Sequence, residues 1–149
     1  MSTDKQILGQ KGEEIVCKDF SCPKCKKEKT LKKLVNNFKC ADVICDFCGY
    51  LAQVKTKTVK NIDIVPNKVL GAAWKPQNER MESGIYFLLF LVLVKENFKK
   101  YSVFYLSADL QKPEMFIVRK PLSNNAKRVG WQGFYYDGQI MKNRMTRIK

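Results

Sequence analysis

The chain contains no histidine. That absence excludes Ser-His and Cys-His nucleophilic catalysis, Cys2His2 zinc sites and acid–base chemistry by imidazole. Any catalysis here has to use carboxylates, amides, lysines and a bound metal. Long apolar runs are also missing: the longest, Ile85 to Val94, is ten residues, too short to span a bilayer. No apolar segment follows Met1-Ser-Thr-Asp-Lys5, so the start lacks the pattern of a signal peptide. Acidic residues are scarce, 14 against 28 Lys and Arg, and the formal net charge is +14. Such an excess favours a polyanionic partner, nucleic acid ahead of an acidic membrane surface. These features predict a cytoplasmic protein without membrane attachment, whose thiols stay reduced. Its 149 residues suit a single domain, 1–149, with a core that needs no disulfides.

What is present centres on the stretch from Cys22 to Lys57. It opens with Cys22-Pro-Lys-Cys25 and, after nineteen intervening residues, continues with Cys45-Asp-Phe-Cys48. Two such pairs present four thiolates to one tetrahedral Zn²⁺, the arrangement of closed structural sites. The bland alternative is four incidental buried cysteines, but two CxxC pairs seldom arise by chance. Cys17 and Cys40 fall outside the pattern and read as ordinary buried cysteines, with Cys40 near enough to compete as a ligand. From Lys24 to Lys39 there are seven lysines and one glutamate, so this lobe is a basic projection.

Between and after the knuckles stand Asp42 and Gln53-Val54-Lys55. A carboxylate, ten residues, then a strand of the form [E/Q]-x-K is the spacing of a metal-dependent nuclease centre. Taken alone, the second half matches many solvated strands. Three features strengthen it. The spacing lies across a hairpin, Gln53 and Lys55 share one face of a strand while Val54 goes to the core, and a preceding helix offers Glu13 and Glu14.

Along the chain, Ser2 or Thr3 caps a helix that runs to about Phe20, with Gly9 and Gly12 weakening it. Phe38 to Ile44 and Tyr50 to Thr58 are predicted strands around the second knuckle, and Ile62 to Val65 a short one. The apolar spacing from Pro66 to Met81 predicts a helix with Val69, Leu70, Ala73, Trp74 and Met81 inward and a kink at Pro76. Gly84 ends it. Ile85 to Val94 reads as a central strand buried on both faces, followed by strands at Tyr101–Leu106 and Met115–Val118. From Arg119 onward there are eight basic residues and one acidic, Asp137. Arg119, Lys120, Lys127, Arg128 and Trp131 are the mixture a DNA-contacting loop uses. A solvated loop, with Trp131 as a lid on the core, stays open beside that reading.

Taken together, the order CPxC, Ala41-Asp42, CxxC, Gln53-x-Lys55, then Arg119-Lys-Pro-Leu122 through Gly130-Trp131 resembles the catalytic domain of the Dam-replacing, DpnI-like restriction endonucleases. The resemblance runs from the first helix to Trp131. It implies an α/β, restriction-endonuclease-like fold of the PD-(D/E)xK type: a central mixed sheet flanked by helices, with an inserted four-cysteine zinc-binding hairpin at 22–48. It also implies a type II restriction-like deoxyribonuclease that hydrolyses double-stranded DNA with Mg²⁺, and the family's best-known member requires adenine methylation in GATC.

Position by position, Asp42 matches the metal-binding aspartate, Gln53 the second acidic position, Lys55 the lysine and Glu13 the first-helix glutamate. Cys22, Cys25, Cys45 and Cys48 match the zinc set. Asp42, the Gln53 side-chain carbonyl and the Val54 backbone carbonyl are the expected Mg²⁺ ligands. The chain departs from the pattern in having Gln53 for an acid, as in QxK nucleases, and Cys40 before Ala41 where the motif has proline. It also ends without the family's C-terminal winged-helix domain. A catalytically inactive zinc-containing nucleic-acid-binding protein is the alternative, and a zinc-ribbon RNA-associated protein a third reading.

Overall fold

The computed structural model of the protein describes residues 4–35 and 41–149. The expected cap at Ser2 or Thr3, the strand start at Phe38, and Cys40 lie outside the described residues. Helix α1 spans Asp4–Asp19 and is followed by strands β1 (Leu31–Lys33), β2 (Val43–Cys45) and β3 (Leu51–Thr58). Next come β4 (Lys68–Ala73), α2 (Trp74–Glu82), β5 (Leu88–Lys95), β6 (Lys100–Leu106) and β7 (Phe116–Val118). The last elements are β8 (Gly133–Asp137), α3 (Gly138–Met141) and β9 (Thr146–Arg147).

The central sheet is mixed, with strand order β1-β2-β3-β5-β6-β9, and a second sheet has the order β4-β8-β7. Strand β5 carries the architecture. It pairs in parallel with β3 and antiparallel with β6, and every residue from Leu88 to Val94 is buried. Its alternate residues serve two cores, as strand geometry requires. Phe90, Val92 and Val94 join Val16, Val54 and Val103 beneath α1. Leu89, Leu91 and Leu93 join Phe134, Tyr136, Met115 and Met141 beneath the small sheet. The central mixed sheet is therefore flanked by helices as expected, with a three-stranded sheet added on one face.

Gly12 is where α1 meets β3: a Cβ at Gly12 would lie 1.7 Å from Thr56 Oγ1. The residue that weakens the helix by propensity is the one that lets it approach the sheet and carry Glu13 toward β3.

Residues 66–81 do not form one helix. Lys68–Ala73 is strand β4, paired with β8 through Val69–Tyr136 and Leu70–Tyr135, and the helix begins only at Trp74. Alternation therefore governs this segment, which leaves Val69 buried and Leu70 49% exposed. Pro76 lies in the first turn of α2, where its missing N–H is not needed, so it produces no kink. Gly84, at φ +72°, does end the helix, with the Ile85 N–H turned back onto Arg80 O at 2.8 Å, a Schellman-type closure. Ile62–Val65 forms turns and bends instead of a strand. Strands β1, β8 and β9 and helix α3 are additions to the expected set.

Candidate metal centre and nucleic-acid interface

The four knuckle cysteines converge. Their Sγ atoms all lie within 4.8 Å of one another, with Cys22–Cys48 and Cys25–Cys45 each at 3.6 Å. A tetrahedral zinc site with metal–sulfur bonds of about 2.3 Å has sulfur–sulfur edges of about 3.8 Å, so the cluster has the dimensions of a zinc site.

The two knuckles share one backbone design. The Cys25 N–H donates to Cys22 Sγ at 3.5 Å and the Cys48 N–H to Cys45 Sγ at 3.4 Å. Lys26 N–H closes on Cys22 O at 2.9 Å and Gly49 N–H on Cys45 O at 2.8 Å. The residue after each second cysteine is left-handed, Lys26 at φ 66° and Gly49 at φ 78°, and only the second is the residue type that adopts this freely. Burial opposes ionisation of Cys45, but its hydrogen bonds with Thr30, with the backbone N–H groups of Cys48 and Phe47, and with Cys48 Sγ bring its thiol down to about 6. Cys17 lies outside the cluster, and burial together with Glu13 pushes its thiol up to about 11.

The cysteine cluster sits at the end of β2, and Asp42 precedes the start of the same strand. Asp42 N–H donates to Ala52 O at 2.9 Å and Asp42 O accepts from Leu34 N–H at 2.9 Å, so the residue is held between neighbouring segments. Its Oδ2 accepts the Val54 N–H at 2.8 Å, capping β3 just beyond the Val43–Ala52 pair. The register thus sets Asp42 across from Gln53. As alternation predicts, Val54 packs with Val16 under α1. Gln53 takes the other face and is buried there, with its Oε1 accepting the Tyr136 hydroxyl at 2.8 Å.

Glu13 approaches from α1. Burial raises its pKa, the negative charge of Asp42 raises it further, and Lys33 and Lys55 partly oppose the rise. Glu13, Asp42 and Lys55 therefore share one electrostatic environment. Lys55 is half-buried and pairs with no carboxylate among the described residues, whereas the Lys33 ammonium lies 3.9 Å from Glu14.

The first part of the basic tail, residues 119–132, forms the loop between β7 and β8. Arg119 N–H donates to Gly133 O at 3.0 Å, Leu122 N–H to Trp131 O at 2.9 Å and Gly130 N–H to Leu122 O at 3.0 Å. Trp131 is half-buried. Its ring lies against Gly133, where a Cβ would come within 2.7 Å of it, and the Arg128 guanidinium stands 4.5 Å from the ring centroid. Arg119 lies 5.1 Å from the Tyr135 ring. Lys120 and Lys127 are exposed.

A family model, described as DpnI: Dam-replacing family, matches residues 2–142. The chain belongs to this family. A search of curated proteins finds no match. Membership in the DpnI family suggests a methylation-dependent restriction endonuclease and implies DNA as the substrate. Among the described residues, no helix is long and apolar enough to cross a membrane.

Tyr136 is the residue of this region that reading the sequence missed. The aromatic run Phe134-Tyr135-Tyr136 was a strand signal, but it does not say which of its faces is buried. Nothing local to it points to Gln53.

Proposed function

We propose that this member of the DpnI family is a metal-dependent DNA endonuclease of the PD-(D/E)xK type, with a structural zinc ion and a catalytic Mg²⁺. The observation that carries the reading is the Asp42 carboxylate bonded to Val54 N–H beside Gln53 and Lys55. The donors offered there are carboxylate, amide and backbone oxygens, which suit Mg²⁺. Glu13 supports the fit: its proton affinity is raised by burial and by Asp42, a repulsion that a cation would relieve. Asp42, the Gln53 amide oxygen and the Val54 carbonyl would hold the ion, with Glu13 as an additional carboxylate. When bound, Mg²⁺ supplies polarisation of the phosphate and a lowered pKa for a coordinated water.

The chain's own residues account for the rest of the site. The Val54 N–H holds Asp42 through Oδ2, and Oδ1 would be the oxygen offered to the ion. Lys55 forms no ion pair with a described carboxylate, so it is available to a phosphate oxygen or to the attacking water. Arg119, Lys120, Lys127 and Arg128 would track the DNA backbone, and Trp131, backed by Arg128, would meet the duplex. The quartet of free thiols fits a reducing, cytoplasmic setting.

A second reading rests on one observation. Gln53 is neutral where an acid would supply charge to the metal, which favours a zinc-containing DNA-binding protein without turnover. The deciding experiment is Mg²⁺- or Mn²⁺-dependent cutting of plasmid with and without adenine methylation. Cleavage should be strongest on methylated plasmid. Asp42→Asn keeps the acceptor for Val54 and removes the charge, so it should lower cleavage about a hundredfold, close to 3 kcal/mol of transition-state stabilisation. Tight binding without cutting under either metal would leave the second reading.

A further inference from the structure

The Tyr136 hydroxyl donates to Gln53 Oε1 at 2.8 Å, between two buried residues. We infer that Tyr136 is a positioning residue that fixes the orientation of the Gln53 amide, so that oxygen and not nitrogen is offered at the metal site. This rests on the nuclease reading above.

The reason lies in the difference between an amide and a carboxylate. A glutamate has two equivalent oxygens and serves as a ligand in either orientation. A glutamine has one oxygen and one NH2 group, and with the wrong face forward it presents two donors to a cation. A chain that places glutamine at this position therefore needs a group that distinguishes the two ends. A phenolic hydroxyl can donate to the oxygen or accept from the NH2 group, and here Tyr136 is set against the oxygen. It occupies one lone pair of the carbonyl and leaves the second for a cation.

Tyr136 is well placed for the task. Its ring is held by Phe116 and Phe134, with centroids at 5.2 and 5.3 Å, and it enters from β8, the strand that follows the basic loop. Gln53 is 8% exposed, so no bulk solvent competes for the amide. Partners that orient metal ligands in this way typically affect metal affinity by about 10–100-fold.

The test compares Tyr136→Phe, which keeps the ring and removes the hydroxyl, in two backgrounds. The first readout needs no catalytic metal: the side-chain amide resonances of Gln53 in zinc-loaded protein should shift or broaden in Tyr136→Phe. The second is Mn²⁺ affinity without DNA, followed by electron paramagnetic resonance. It should weaken by about tenfold in Tyr136→Phe. It should change far less when Tyr136→Phe is combined with Gln53→Glu, because a carboxylate needs no such orientation. A purely structural hydroxyl would instead weaken binding equally in both backgrounds, which overturns the proposal. If the parent protein shows no Asp42-dependent Mn²⁺ binding, the nuclease reading fails, and the amide resonances then decide the orienting role alone. Unchanged resonances would overturn it.

Discussion

At the scale of single residues, Glu13 makes the most direct claim. Its pKa lies above the unperturbed 4.5 because of burial and then Asp42, so near that pH the folded chain binds a proton more tightly than the unfolded one. Stability from this group is present at low pH and is lost as pH rises through the folded pKa. Glu13→Gln should therefore melt higher than the parent near neutral pH in protein without added Mg²⁺. The gain should disappear below pH 4.5, and added Mg²⁺ should shrink it. Thermal melts across pH check this, and a difference that grows on acidification would reverse the assignment. Glu13 was legible as a carboxylate on the first helix. That it senses Asp42 and Lys55 was not, because this depends on the close approach of α1 at Gly12.

At the scale of elements, the four-cysteine hairpin and the basic loop each support a prediction. The cysteine cluster and Asp42 lie at opposite ends of β2, so a metal bound at one end would order the strand that places the other. Elemental analysis should find one zinc per chain. Cys25→Ser should lose that zinc and, because metal binding and folding are coupled in such sites, lower both thermal stability and cleavage. Normal melting and cleavage in a zinc-free protein would remove the structural role.

The loop prediction concerns Trp131, whose ring lies between Gly133 and Arg128. In a Trp74→Phe background its emission should quench on adding duplex, and Trp131→Ala should weaken binding about tenfold, near 1.4 kcal/mol, with little loss of stability. Unchanged emission at saturating DNA would leave Trp131 as a lid over the loop's own packing. The loop's composition was readable in advance. Its closure by backbone bonds to Gly133 and Trp131 depended on β8, which was not foreseen.

At the scale of the whole molecule, the net charge of +14 and the exposed cations of the β7–β8 loop bear on the same measurement. DNA affinity should fall steeply with salt. Replacing both Lys120 and Lys127 with alanine should reduce the slope of log affinity against log salt by about 1.8, if each contacts one phosphate. Equal slopes for parent and variant would place the DNA on another surface. The two cores on either side of β5 give the site its setting. One holds α1 against β3, the other holds β8 against the opposite face, and the residues proposed for catalysis draw on both.

The sequence by itself determined the features that depend on residue type and short spacing. These include the absence of histidine chemistry, the cationic surface, the four-cysteine quartet, and a central strand whose unbroken apolar run had to be buried on both faces. It also placed Asp42 and Gln53-Val54-Lys55 across one hairpin, since alternation and a closing turn suffice for that. The tertiary structure decided what depends on distant partners. Apolar residues at Val69, Leu70, Ala73 and Trp74 satisfy a helical period, yet pairing with β8 made the first part of that stretch a strand. Tyr136 lies 83 residues from Gln53, and only the packing of the small sheet on the central one brings its hydroxyl to the amide. Local periodicity carries no information about which strand will lie alongside, because that choice is made by burying two apolar faces against each other.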